Sequence, residues 1–315
     1  MKNIIVKISV LLAILFAYFP VFAITTSPFH FLRTNISARA AGMAGCFVAI
    51  PNDVNAVFIN PAAMSTVEDK NFSATFLKHV LDINSGSVVY LLKDDNLGNF
   101  AASANYMSYG SFTRADAKGQ TNGTFTAGDV ALGITYSNEL DSNLYYGGTF
   151  KLIYSNIKSA SSFAFAVDAG MIYMMPDIRT SVGVSVLHAG TQVTTFDSET
   201  EKLPLDVRLG ISHRLRGLPL LVNFGFHHLA DDTDNFFEKF ANFSLAGEFY
   251  LGKYIRARLG YDNQIRRLTT PSDKREFSGI TAGLGIYANS FYFDYGIAQN
   301  GTSATLHRFS VSLNI

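Results

Sequence analysis

The seven histidines of the chain are the first candidates for metal binding or acid–base chemistry. They are His30, His79, His188, His213, His227, His228 and His307. No two of them have the His-Glu-x-x-His spacing of a zinc-binding helix. His227 and His228 are adjacent, and neighbours in a strand point to opposite faces, so the pattern predicts that they cannot bind one metal together. We therefore expect ordinary histidines and no metal site.

One acidic run resembles part of a calcium-binding loop. Asp231-Asp232-Thr233-Asp234-Asn235 lacks the glycine and the distal bidentate glutamate of an EF-hand, so it predicts a solvated loop. The sequence has neither a nucleophile elbow, Gly-x-Ser-x-Gly, nor a P-loop. Some barrels carry a lipase Ser/His pair on a strand, so an enzyme is kept as a third alternative. The sequence itself predicts no catalytic residue, no cofactor and no metal.

The composition favours a β-rich protein with an apolar exterior. Charged residues make up 16% of the 315 residues, well below the ~25% of typical soluble domains. The chain contains 27 Phe, 15 Tyr and 25 Gly residues. Its net charge is zero, so no nucleic acid partner is indicated. Cys46 is the only cysteine, which excludes a disulfide framework and predicts a small buried apolar side chain.

Residues 1–23 have the features of a cleavable secretory signal peptide. Lys2 and Lys7 give a positive start, residues 8–22 are apolar, and Val21 and Ala23 are small residues at −3 and −1 of the cleavage site. An N-terminal membrane anchor is the alternative, but the apolar core is short for a membrane span. We therefore expect an exported protein.

The rest of the chain alternates apolar residues with small or polar ones in segments of about ten residues. Leu152 and Tyr154, for example, alternate with Lys151 and Ser155. A period of two predicts strands with one apolar face. Fourteen segments follow this pattern: 71–80, 85–93, 98–113, 125–138, 142–157, 161–175, 180–189, 204–215, 218–229, 240–251, 254–266, 276–288, 290–299 and 304–315. A short turn is expected at 138–141, and longer loops at 114–123, 190–204, 230–239 and 267–274.

The face opposite the apolar one decides between two architectures. It is rich in Gly, Ala, Ser and Thr, as in a membrane barrel whose apolar face meets lipid and whose small polar face lines the lumen. A secreted β-sandwich is the alternative. The leader, the aromatic residues and the low charge favour the barrel. We predict an all-β transmembrane protein, an antiparallel outer-membrane β-barrel of about 14 strands over residues 71–315.

Charged residues on the small-residue faces predict ion pairs inside this barrel, because an unpaired buried charge is costly. They are Lys151, Asp168, Arg256, Arg258, Asp262 and Asp294. Arg33 and Arg39, which precede the first strand, are expected to join the same network.

Residues 24–70 predict a plug that fills the lumen. Small residues and glycines allow close backbone packing, and Asn60-Pro61 is a turn signal. The residues expected to define the plug are Ser37, Arg39, Gly42, Gly45, Asp53, Asn55, Asn60, Pro61 and Ala62.

These plug motifs carry a family resemblance. Residues 37–45 and 53–62 resemble the N-terminal signature of the PorV/PorQ family, particularly its PorQ-like members. The match continues through residues 105–112, 123–129, 151–155, 203–210 and 293–296. The family is related to the FadL-type long-chain fatty-acid channels, which also carry an Asn-Pro-Ala plug motif. The resemblance therefore implies a FadL-like barrel of 14 strands in the outer membrane of a Gram-negative bacterium.

The resemblance also implies a role and partners. PorQ-like proteins belong to the type IX secretion system, in a cell-surface attachment complex with a PorV-like barrel, a PorZ-like protein and a sortase-like peptidase. It implies a non-enzymatic barrel that contacts outer-membrane lipid and anchors this complex for secreted cargo. A FadL-like channel for the uptake of hydrophobic compounds is the alternative.

Overall fold

The computed structural model describes residues 29–315 except 36, 69–70, 80, 117, 198, 234, 270–276, 289–290 and 302–303. The expected leader, residues 1–23, and the first residues of the expected plug lie outside the described residues. No helix within the described ranges is long and apolar enough to cross a membrane.

Fourteen strands in the described residues form one closed antiparallel barrel, in which each strand pairs with its neighbours in sequence and β1 pairs with β14. They are β1 Phe72–Lys78, β2 Asn84–Asp94, β3 Gly98–Ala115, β4 Thr121–Asp141, β5 Leu144–Ile157, β6 Ala160–Met175, β7 Thr180–Thr194, β8 Asp206–Arg214, β9 Leu220–Phe226, β10 Phe243–Leu251, β11 Ile255–Asp262, β12 Ile280–Tyr287, β13 Phe291–Asn300 and β14 Ala304–Leu313. This confirms the predicted outer-membrane barrel of 14 strands. The prediction was possible because period-two alternation marks each strand independently.

Four predicted boundaries are wrong. The expected loop at 190–204 begins too early, because β7 continues to Thr194. The expected turn at 138–141 belongs to β4, which continues to Asp141. The expected loop at 114–123 is half strand, because β3 and β4 pair as far as Ala115 and Thr121. The segment 254–266 leaves the sheet after Asp262 and forms a helix, α2, over Asn263–Thr269.

The inward and outward faces of the strands follow the predicted alternation. Leu152 is 40% exposed on the outer surface, whereas its neighbour Lys151 is 6% exposed on the inside. Ile134 and Leu259 likewise present their side chains outward at 69% and 58% exposure. An apolar outer surface on a closed barrel faces lipid. In such barrels the end with short turns is periplasmic and the end with long loops is extracellular. Here β1 begins and β14 ends at the short-turn end, which is therefore periplasmic.

The described residues between 29 and 68, here called the inner segment, precede β1 and lie inside the barrel. Their elements are short: the helix α1 Ala38–Gly42 and the 3-10 helices His30–Arg33, Val54–Phe58 and Pro61–Thr66. Ser37, Asp53 and Asn60 each begin one of these elements by accepting a backbone N–H bond. Two further 3-10 helices, Pro176–Ile178 and Phe236–Ala241, lie in connections between strands.

The barrel wall has unequal height. Strands β3–β7 contain 14 to 21 residues, whereas β8–β14 contain 7 to 10. The step lies at β7, which pairs with β8 only up to Leu187↔Asp206. Residues 188–194 continue along β6 without a β8 partner among the described residues. The loop after β7 covers this free edge, where the Glu201 amide donates to Gln192 Oε1 at 2.6 Å.

Candidate functional site: the inner segment in the barrel lumen

Arg39 is the centre of an ion-pair network that ties the inner segment to the wall. Its guanidinium donates to both oxygens of Glu248 on β10, at 3.1 and 2.7 Å, and to Asp53 at 3.1 Å. Glu248 also accepts from Arg258 on β11 at 2.7 Å, and Arg258 reaches Asp294 on β13 at 2.7 Å. Burial opposes the charge of Arg39, yet its pKa lies well above the ordinary value because Glu248 and Asp53 stabilise the cation.

Asp53 and Asn55 form the second part of this contact. Asp53 Oδ1 accepts from the Asn55 amide at 2.8 Å and so caps the 3-10 helix, while its other oxygen accepts from Arg39. The Asn55 side chain donates to the same Asp53 carboxylate at 3.2 Å. The network therefore fixes both the position of α1 and the start of the next helix.

Asn60, Pro61 and Ala62 connect the inner segment to the opposite wall. Asn60 Oδ1 accepts from the Ala62 amide at 3.1 Å, and Pro61 takes the first helical position, where its missing N–H costs nothing. Asn60 Nδ2 donates to the carbonyls of Val48 at 2.8 Å and of Met171 on β6 at 3.1 Å. One amide side chain thus joins two parts of the inner segment to the sheet.

Inward-facing glycines let the wall lie directly against the inner segment. They are Gly147 on β5, Gly170 on β6, Gly183 on β7, Gly210 on β8, Gly260 on β11, Gly283 on β12 and Gly296 on β13. A Cβ at Gly147 would lie 2.6 Å from the Pro61 carbonyl carbon, and one at Gly260 would lie 2.7 Å from the Ala44 nitrogen. Any larger residue would push the segment away from the wall.

The remaining predicted plug residues lie at the α1 end of the segment. Ser37 caps α1, with its Oγ 3.4 Å from the Ala40 amide nitrogen. A Cβ at Gly42 would lie 3.0 Å from the Cα of Gly283, so α1 lies directly against β12 at this position. Gly45 has a φ of 68° and ends the turn after α1, a conformation that favours glycine.

A second charged group lies in the long-loop half of the lumen, at a bulge in β7. Opposite Asp168 on β6, β7 contains the extra residue that shifts the register, and the His188 amide donates to Asp168 Oδ1 at 2.8 Å. Lys151 on β5 pairs with the other oxygen of Asp168 and lies 3.3 Å from His188 Nδ1. The bulge therefore has its own buried carboxylate, which satisfies the freed amide.

Arg33 anchors the start of the inner segment to the loops. It forms two bonds to Asp231, at 3.0 and 2.6 Å, and donates to the carbonyls of Pro204 and Leu205 at 3.3 and 2.6 Å. The acidic run was expected to be a solvated loop, and for Asp231 this is wrong, because its carboxylate is an ion-pair partner of Arg33.

Two further expectations are wrong, namely that His227 and His228 point to opposite faces of a strand and that Arg256 joins the ion pairs in the lumen. His227 and His228 follow β9 rather than lying within it, and the positive φ of His228 brings their Nδ1 atoms to 3.3 Å. Arg256 does not join the ion pairs: it donates to the carbonyls of Gly252 and Ile255 and lies over the Tyr250 ring at 4.3 Å. No three His, Cys, Asp or Glu residues in the described part of the chain are grouped so that they could hold a metal.

Glu248 is the important residue that the sequence analysis missed. It accepts from both Arg39 and Arg258 and is fully buried. The signal was present, because Glu248 shares its strand face with Ser244 and Ala246, the small-residue face that marks the lumen.

The first residues of the inner segment fill an apolar recess beside the step in the wall. Phe29, Phe31 and Leu32 are buried there among apolar side chains. The recess is lined by Met107, Ala131, Ile153, Ala164, Ala166 and Leu203, which come from β3–β6 and from the loop after β7. Alanines at three of these positions leave room for the aromatic rings.

Comparison with known proteins identifies the fold. The toluene transporter TodX of Pseudomonas putida has a TM-score of 0.56 at 12% identity, covering 87% of this chain and 95% of TodX. The toluene transporter TbuX of Ralstonia pickettii has a TM-score of 0.55 at 12% identity, covering 88% and 96%. A FadL homologue of Pseudomonas aeruginosa has a TM-score of 0.52 at 11% identity, covering 88% and 97%. No protein-family model and no curated protein matches the chain.

At these identities the likeness concerns the fold, and it agrees with the closed barrel and the short helices that precede it. The apolar outer surface places the wall in contact with membrane lipid. The chain is therefore a FadL-like outer-membrane β-barrel of 14 strands.

Proposed function

We propose that the protein is an outer-membrane channel for small hydrophobic compounds, with the inner segment as its plug and residues 1–23 as its export signal. The observation that carries the proposal is the apolar recess beside the step in the wall. Phe29, Phe31 and Leu32 occupy it through contacts that a hydrophobic compound can reproduce. The fold supports the same function, because the similar structures include two toluene transporters.

The wall offers a passage next to this recess. From residue 188 onward, β7 no longer pairs with β8 among the described residues, and the loop after β7 closes the wall there. Leu203 of that loop packs into the recess, and Arg33 binds the carbonyls of Pro204 and Leu205. A shift of this loop opens the recess without breaking any β-ladder.

Uptake by intact cells tests the proposal. The host is a Gram-negative strain without a FadL-type channel, and the solute is radiolabelled toluene. Wild-type protein is expected to raise toluene uptake above that of the empty vector. Phe31→Ala is expected to raise it further, because the smaller side chain enlarges the recess. Phe47→Ala is the matched control, because Phe47 is buried in the other part of the inner segment. Uptake equal to the empty vector would contradict the proposal.

A second function has its own supporting observation. Phe236 and Phe237, in the connection between β9 and β10 at the long-loop end, are 64% and 76% exposed, and Phe240 beside them is 38% exposed. Exposed aromatic residues on a loop suit the docking of a protein. This patch supports the role implied by the PorV/PorQ resemblance, a non-enzymatic anchor of the type IX cell-surface attachment complex.

Copurification distinguishes the two functions. The anchor role predicts that PorZ-like, PorV-like and sortase-like proteins are recovered with the barrel from solubilised outer membranes, and that Phe237→Ser releases them. Leu268→Ser is the control, because Leu268 is also exposed (77%) but lies on α2. Recovery of the barrel without these proteins would leave the channel as the better explanation.

A further inference from the structure

A cavity of about 280 Å³ lies in the long-loop half of the lumen, between the inner segment and the low wall. Arginine, histidine, asparagine and glutamine side chains contribute to its lining. Three arginines face it: Arg33, Arg208 and Arg308. It is distinct from the apolar recess, which lies against β3–β6.

Two of these arginines have carboxylate partners. Arg33 pairs with Asp231 at 2.6 Å, and Arg208 pairs with Asp206 at 2.7 Å. Arg308 has no carboxylate within 4.0 Å among the described residues, although it is only 4% exposed. A buried cation without a counter-ion is destabilising, because its lost hydration is not replaced.

The hydrogen bonds of Arg308 are also incomplete. Its Nε donates to the Asn35 carbonyl at 2.6 Å, while its Nη1 has no partner among the described residues. The guanidinium is thus held at one edge by the inner segment. An oxyanion is the group that a guanidinium fork best accommodates.

We propose that this cavity binds a small anion, through a carboxylate or phosphate group that pairs with Arg308. The size of the cavity suits a compact ligand. Asp262 faces the same cavity, and its carboxylate accepts from the Ile265 amide at 3.0 Å, so a ligand with several negative charges is disfavoured. The site goes beyond the channel function and does not depend on it.

The test is the unfolding temperature of the purified full-length barrel in neutral detergent. It is measured in a zwitterionic buffer and then with increasing concentrations of inorganic phosphate or of acetate. The two anions distinguish binding of a phosphate group from binding of a carboxylate group. Binding to the folded state is expected to raise the unfolding temperature saturably. The variants are Arg308→Gln, Arg308→Lys and Arg256→Gln, the last being a cation at the other end of the lumen.

The proposal predicts four results. One of the two anions stabilises the wild type and Arg256→Gln saturably, Arg308→Gln loses this response, and Arg308→Lys keeps part of it. Without anions, Arg308→Gln unfolds at the same temperature as the wild type or higher, because a solitary buried charge has been removed. A wild type without a saturable response, or an equal response in Arg308→Gln, would overturn the proposal, whatever the toluene uptake.

Discussion

The two parts of the inner segment are held in the lumen by different forces. Residues 37–66 are bound by buried ion pairs, by the amide of Asn60 and by close contact with glycines. Residues 29–32 are held by apolar contact with the recess, and Arg33, which follows them, binds Asp231 and the carbonyls of the loop after β7. A hydrophobic solute can replace apolar contacts but cannot replace a carboxylate between two arginines. Under the proposed channel function, residues 29–32 are therefore the part expected to move, and residues 37–66 the part expected to stay in place.

Removing the charge of Glu248 is expected to have the largest effect. Glu248→Gln leaves Arg39 and Arg258 buried with one shared carboxylate fewer, and we expect a loss of about 3–5 kcal/mol in the free energy of unfolding. Guanidinium unfolding in phospholipid vesicles measures it. Glu238→Gln, an exposed change in the β9–β10 connection, is the control. If both variants unfold alike, the fixed part of the segment is not held by the network.

A methyl group at Gly147 is expected to have the next largest effect. In Gly147→Ala the new Cβ meets the Pro61 carbonyl, so overpacking should cost about 1–3 kcal/mol in the same unfolding measurement. Gly148→Ala is the matched control from the same strand, because its Cβ would have only one contact, at 3.5 Å. Equal stabilities would show that the glycines do not set the distance between segment and wall.

Acid is expected to lower the stability of the barrel through His228, which lies beside Asp206 and Gln264 at the cavity in the long-loop half of the lumen. Burial lowers the pKa of His228 to about 3, whereas a histidine in an unfolded chain titrates near 6.5. The unfolded chain therefore binds more protons between these values, and stability falls as the pH decreases from 7 to 5. Unfolding at both pH values should show a smaller loss in His228→Gln than in the wild type. An unchanged loss would mean that other groups cause it.

Much of this architecture follows from local sequence. Period-two alternation predicts fourteen strands, because each strand separates lipid from lumen by itself. Asn60-Pro61 was expected to be a turn, and in the structure it begins a 3-10 helix, since the cap and the proline are adjacent. The ion pairs are harder to predict, because Arg39 and Glu248 are far apart in sequence and only their shared lumen position relates them. The bulge at His188 has no local signal, since a histidine there replaces the glycine that a positive φ favours.

The most direct test of the division within the inner segment is amide hydrogen exchange with and without toluene. Purified barrel in detergent is exchanged for a series of times, and peptides covering residues 29–35 and 38–64 are compared. The account predicts that toluene accelerates exchange at 29–35, because the solute displaces Phe29, Phe31 and Leu32, and leaves 38–64 unchanged. The prediction would be contradicted if toluene left exchange unchanged in both peptides, or if it accelerated exchange equally in both.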